Sequence, residues 1–217
     1  MPLRKRILIA DDHSLILAAV VGLLEPTYEV VGRAANGRQL VALAKSLKSD
    51  AVVLDIGMPE LNGVEAARQI AELEANVKIV FLTQQLESSF LQFAFTAGAH
   101  GYVAKQASSN ELLLALKSVF RGEYFVTSLL SGKGAEKLAL WNPRTNPVRL
   151  FGDRLTPRQR EVLQLIAEGK SAKEIGVSLN ITAKTAEFHR LAIMDELGLR
   201  TTAELTRYAL ATGIALF

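Results

Sequence analysis

The 217-residue chain has no cysteine, one tryptophan and six prolines. Without cysteine there is no disulfide framework, no thiolate zinc site and no cysteine nucleophile. Long apolar runs are missing too. After Arg4, Lys5 and Arg6, only Ile7 to Ala10 intervene before two aspartates, too short for a signal peptide or a membrane span. A cytoplasmic protein with no membrane partner is expected. Charge of one sign is scarce: the net charge is +3. Residues 1–132 carry 12 basic and 13 acidic side chains, residues 133–149 four and one, and residues 150–217 nine and eight. Nucleic-acid binders usually show a larger basic excess, so any case for one must come from helix geometry. What remains is ordinary globular composition, 49% hydrophobic and 22% charged, in a chain long enough for two domains.

The first 130 residues alternate short apolar runs with helical spacing. Arg6–Ala10, Glu29–Ala34, Ala51–Leu54, Lys78–Leu82 and Gly101–Ala104 read as strands. Ser14–Leu24, Arg38–Leu47, Gly63–Leu73, Ser88–Ala97 and Ser109–Gly122 read as helices. Apolar runs without alternation suit strands buried on both faces. The expectation is therefore an α/β doubly wound, five-stranded parallel sheet of flavodoxin type, in the order 2-1-3-4-5. Residues 131–152 read as a linker: Ser131-Gly132-Lys133-Gly134 is flexible, Asn142-Pro143 and Asn146-Pro147 signal turns, and Ala135–Trp141 offers one or two helical turns that dock through Trp141. Residues 153–217 read as a small all-α domain of four short helices. Thr156-Pro157-Arg158-Gln159 is a capping box, and Ser171 with Glu174 a second. Thr182 caps a third helix that Gly198 stops, and Thr202 starts the last, which ends near Gly213.

Ligands of open α/β sheets bind beyond the carboxyl ends of the strands. There the sequence places Asp11 and Asp12, Asp55, Thr83 and Lys105. Carboxylates meeting at ~5 Å repel by roughly 3 kcal/mol per pair at an effective dielectric near 20. A divalent cation relieves this, and oxygen ligands with room for water suit Mg²⁺. The cation then holds a phosphoryl group against Asp55, while the Thr83 hydroxyl and the Lys105 ammonium take phosphoryl oxygens.

Asp11-Asp12-His13, Asp55-Ile56-Gly57-Met58-Pro59 with Asn62-Gly63, Thr83, and Gly98-Ala99-His100-Gly101-Tyr102-Val103-Ala104-Lys105 together resemble the receiver domain of response regulators. The resemblance implies a covalent phosphoryl on Asp55, taken from a sensor histidine kinase or a small phosphodonor. It implies Mg²⁺ or Mn²⁺ held by Asp11, Asp12, Asp55 and the Gly57 main-chain carbonyl, and Tyr102 as the aromatic that swings inward when Thr83 moves. Gln84 stands where a small residue is usual, and Gln85 replaces frequent acidic or aromatic choices. A bulky amide there is expected to alter the dephosphorylation rate.

In the third C-terminal helix Ala186, His189, Ile193 and Leu197 recur at core spacing. With the Ser171–Leu179 helix and the Asn180-Ile181 turn this makes a helix-turn-helix whose second helix can enter a major groove. Lys184 and Arg190 are candidate phosphate or guanine partners, and Glu187 can accept from cytosine. Phe188 lies on the same open faces. Lys173, Arg158 and Thr182 suit the DNA backbone. Leu155–Leu163, Gly169–Ile175 and Thr185–Arg190 resemble the LuxR-type output domain. Joined to a receiver, this is the pattern of the NarL/FixJ family of response regulators. Ala186 replaces a usual valine, and Glu196, after Asp195, stands where lysine is usual, so non-specific DNA affinity should be modest and steeply salt-dependent.

The resemblance implies a transcription regulator rather than an enzyme, one whose receiver promotes its own phosphoryl transfer and dephosphorylation. It implies double-stranded DNA as partner, a homodimer in the active form with the Thr202–Gly213 helix as self-contact, and RNA polymerase as a candidate partner. Two rivals stand beside it. A hydrolase using Asp55 as covalent nucleophile needs a second acid two residues on, where Gly57 stands. A regulator that ignores phosphate is disfavoured by the complete acidic set, though Gln84 and Gln85 keep it open.

Overall fold

A computed structural model describes residues 3–130 and 154–216. The expected linker, with its helical turns and Trp141, lies outside the described residues. Those described fall into two compact units.

The N-terminal unit runs β1 (Arg6–Ala10), α1 (Ser14–Leu24), β2 (Glu29–Ala34), α2 (Gly37–Ser46), β3 (Ala51–Leu54), α3 (Gly63–Leu73), β4 (Lys78–Thr83), α4 (Ser88–Thr96), β5 (Gly101–Ala104), α5 (Ser109–Phe120) and β6 (Phe125–Val126), then a 3₁₀ turn at Ser128–Leu130. The sheet order is β2-β1-β3-β4-β5-β6 and every pair is parallel. The expected five-strand order holds, with two differences. β4 reaches Thr83, and a two-residue sixth strand joins the edge beside β5. That strand escapes sequence reading because two residues carry no periodicity.

Ile7 to Ala10 of β1 and Ala51 to Leu54 of β3 are buried without a break, so both faces of the sheet are covered. On one face Ile7, Ile9, Val53, Val80 and Val103 pack with Val20, Val21 and Leu24 of α1 and Leu112, Leu116 and Val119 of α5. Glu111 of α5, itself buried, accepts from the Thr127 hydroxyl at 3.0 Å and the Ser128 N–H at 2.6 Å, fastening the chain after β6.

The C-terminal unit comprises α6 (Pro157–Ala167), α7 (Ala172–Leu179), α8 (Ala183–Leu197) and α9 (Thr202–Ala211). Both expected capping boxes form, and Thr182 caps α8 by accepting the Thr185 N–H at 3.0 Å. The last helix starts at Thr202 as expected, and a third box, Thr201 with Glu204, caps it. The turn between α7 and α8 is tight. Asn180 is left-handed at φ 52°, and a Cβ on Gly176 would lie 2.8 Å from the Ile181 carbonyl oxygen. Val162, Leu163, Leu165, Ile175, Leu179, Ala186, Ile193, Leu205 and Ala209 form the core. No helix among the described residues is long and apolar enough to cross a membrane.

Candidate functional site

The sheet hydrogen bonding continues one residue past three strands and so sets the site. The Asp11 N–H donates to Ala34 O, Asp55 N–H to Ala10 O and Lys105 N–H to Thr83 O. Asp11, Asp55 and Thr83 are buried, and Asp12 is exposed. The Lys105 ammonium lies between the two buried acids, 2.7 Å from Asp11 Oδ2 and 2.7 Å from Asp55 Oδ2. Burial alone would lower the lysine pKa. Its hydrogen bonds to Asp11 and Asp55, and their charges, outweigh that and raise it. Asp55 Oδ1 accepts the Ile56 N–H at 2.7 Å, so both oxygens of Asp55 are engaged. Ligand atoms of Asp11, Asp12, His13 and Asp55 all fall within 4.8 Å of one another. Three carboxylates at that spacing suit a hard divalent cation.

His13, in the sequence only one letter of the Asp11-Asp12-His13 motif, is a neighbour of both acids. Its N–H donates to Asp11 Oδ1 at 2.9 Å, and its Nδ1 lies 2.9 Å from Asp12 and 3.3 Å from Asp11. Gly57 sits two residues past Asp55, partly exposed, in the loop to α3. That loop closes on Gly63, whose N–H donates to Ile56 O at 2.9 Å. A Cβ on Gly63 would stand 1.9 Å from the Asp55 carbonyl oxygen, so only glycine lets α3 start this close to the acid.

In the helical unit Lys173, Thr182, Lys184 and Phe188 are exposed, and Glu187 and Arg190 are partly so. Arg190 folds back along α8. Its Nε donates to both Glu187 oxygens at 3.1 and 3.0 Å, its Nη2 pairs with the same carboxylate, and its Nη1 meets Met194 Sδ at 3.3 Å. The guanidinium hydrogen bond holds the Glu187 pKa down. Two residues expected to face different bases thus satisfy each other. Arg158 bonds Glu161 at 2.8 Å and the Leu179 carbonyl at 2.6 Å, an internal role rather than an open one. His189, placed with the core by spacing, is only partly buried, its ring edge-on to Phe188 at 6.1 Å.

Residues 7–117 match the response regulator receiver domain, and residues 153–209 match the bacterial regulatory proteins of the luxR family. This chain is a response regulator of the NarL/FixJ family. Among similar proteins, the transcriptional regulatory protein MctR of Rhizobium johnstonii is 33% identical over 96% of this chain and 94% of its own. The response regulator UvrY of Escherichia coli is 31% identical over 96% and 94%. Among solved structures, RcsB of Salmonella typhimurium aligns with TM-score 0.56 at 26% identity, covering 96% of this chain and 99% of that one. An RcsB–DNA complex aligns with TM-score 0.55 at 25% identity, covering 94% and 97%. The regulator thus joins a receiver to a LuxR-type DNA-binding domain, and it is a transcription regulator rather than an enzyme.

Three further features bear on the working of this response regulator. Tyr102 is fully buried, its hydroxyl donating to the Gln85 carbonyl at 2.7 Å, while the Gln85 N–H donates to Thr83 Oγ1 at 3.2 Å. Burial, then the negative charges of Asp55 and Glu87, raise the Tyr102 pKa. Gln84 is exposed beside Thr83. In the helical domain Glu196 is paired by Arg154 at 3.1 Å, so its charge is partly offset within the domain.

Proposed function

We propose that Asp55 accepts a phosphoryl group from a sensor histidine kinase or a small phosphodonor, and that the acyl phosphate controls sequence-specific DNA binding by the helical domain. The chain then divides into a receiver at 1–130, a linker at 131–152 and an output domain at 153–217. The observation that carries the reading is the Lys105 ammonium held 2.7 Å from both Asp11 and Asp55.

In the transfer, a carboxylate oxygen of Asp55 attacks phosphorus. The P–N bond to the kinase histidine breaks, and the departing nitrogen keeps the bonding pair and takes up a proton. Lys105 leaves Asp55 Oδ2 to pair with a phosphoryl oxygen. Thr83 Oγ1 accepts from Gln85, which leaves the hydroxyl proton for a second phosphoryl oxygen. Asp11, Asp12, Asp55 and the Gly57 carbonyl would hold Mg²⁺ or Mn²⁺. When bound, the ion neutralises charge on the carboxylates and phosphoryl oxygens. The same residues serve hydrolysis, the receiver's own dephosphorylation.

At the output end Lys173 and Thr182 hold phosphates, and Lys184, Glu187, Phe188 and Arg190 line the base-reading surface. Solved structures of RcsB bound to DNA, one as two dimers on two DNAs, support a homodimer on double-stranded DNA. We assign α9 as its self-contact. RNA polymerase is the further partner, and the cytoplasm the compartment, that this role implies.

DNA affinity measured with and without acetyl phosphate plus Mg²⁺, on wild type and Asp55→Asn, tests the reading. Affinity should rise in wild type alone; no phosphate-dependent gain overturns it. Gln84→Ala should change the lifetime of the phosphorylated form, read as phosphate release after donor removal. An unchanged lifetime removes Gln84 from the account.

A further inference from the structure

We propose that α8 reads thymine methyl groups in the major groove through Phe188 and Leu191. The proposal rests on the DNA-binding reading and gives it a base preference. A helix turns about 100° per residue. With Ala186 and Ile193 buried on one side of α8, Lys184, Phe188, Leu191 and Asp195 fall within about 60° of one another on the opposite side. Phe188 is 68% exposed and Leu191 54%. Single exposed apolar residues are ordinary. These two sit one turn apart at the centre of the face that a helix-turn-helix presents to the groove.

The side chains best suited to hydrogen-bonded readout are already engaged. The Arg190 fork sits on the Glu187 carboxylate, and its remaining arm meets Met194. A guanine contact by Arg190 would have to break that pair. What the open face offers instead is the Lys184 ammonium at its N-terminal end, then the apolar pair. Among base edges in the major groove, the apolar feature is the thymine C5-methyl. Lys184 together with exposed Thr182 and Lys173 favours a polyanion over a second apolar protein surface. Asp195, at the far end of the stripe, repels phosphate, so groove contact ends near Leu191. The edge-on contact with the His189 ring holds Phe188 in place before DNA arrives.

The test uses the full chain with acetyl phosphate and Mg²⁺ to select duplexes from a randomised pool. Each thymine of the selected sites is then replaced by deoxyuridine, which removes one methyl and nothing else. At one or two thymines per half-site the replacement should weaken binding about fourfold. Phe188→Ala and Leu191→Ala should each lose the difference at the thymine that side chain reads, and Phe188→Leu should keep it. The exposure of Phe188 leaves the fold intact, as circular dichroism can verify. Equal binding of both duplexes by wild type overturns the proposal while the DNA reading stands. A methyl dependence surviving unchanged in both Phe188→Ala and Leu191→Ala also overturns it. Selection of no duplex at all overturns both readings.

Discussion

In the receiver the Asp11, Asp55 and Lys105 side chains are buried and paired with one another, Thr83 is buried beside them, and only Asp12 of the set is exposed. In the helical domain Lys173, Thr182, Lys184 and Phe188 project into solvent. The difference follows from what each unit must do. Phosphoryl chemistry gains from charges fixed in a dry, preorganised pocket, where they act more strongly than in water. DNA recognition gains from groups that their own domain leaves exposed. The receiver site should therefore tolerate little steric or charge disturbance, and the helical domain considerably more.

The sharpest way to break this contrast compares two glycines. Gly63→Ala puts a methyl 1.9 Å from the Asp55 carbonyl oxygen and should cost about 3 kcal/mol or more, read by denaturant unfolding. Its counterpart, Gly176→Ala, meets the Ile181 carbonyl oxygen at 2.8 Å and should cost roughly 1–2 kcal/mol. A larger loss at Gly176 would reverse the ranking.

His100 sharpens the same contrast through pH. Burial, then the nearby Lys78 charge, push its pKa from 6.5 to about 4. Its Nδ1 accepts the Ile79 N–H at 3.3 Å, and its ring stacks on Tyr124. The unfolded chain binds this proton first, so the contribution is present above pH 6.5 and lost as pH falls toward about 4. About 2 kcal/mol should disappear over that window, less than the full shift implies because the ring keeps some contact with water. His100→Asn should flatten that part of the stability profile; an identical profile would refute the assignment. The smallest effect is expected at a helix cap. Thr201→Ala removes the acceptor of the Glu204 N–H and should cost about 1 kcal/mol by thermal unfolding.

The same contrast explains what was legible in the sequence. The receiver's strand ends were readable because apolar runs stop at charged or polar residues: Ala10 at Asp11, Leu54 at Asp55. β6 was not, since its place depends on Glu111 binding Thr127 and Ser128 across a turn. The α7 and α8 caps follow from local chemistry, and both lie where the spacing puts them. The last helix starts at Thr202, where the spacing puts it, and its cap falls on Thr201, which has Glu204 at N3. Helical spacing identified the open face of α8 but not the Arg190–Glu187 pair on it. A three-residue separation permits that pair, whereas rotamers decide it. His100 was visible only as a motif letter, because burial of a lone histidine is a property of the finished fold.

Gln85 links the Thr83 hydroxyl to the Tyr102 hydroxyl through its own peptide atoms, N–H on one side and C=O on the other. A connection carried by the main chain is indifferent to side-chain identity. Position 85 is therefore free to drift through amides, acids or aromatics while the link between hydroxyl and ring survives, and proline, which lacks the N–H, is the replacement that would cut it.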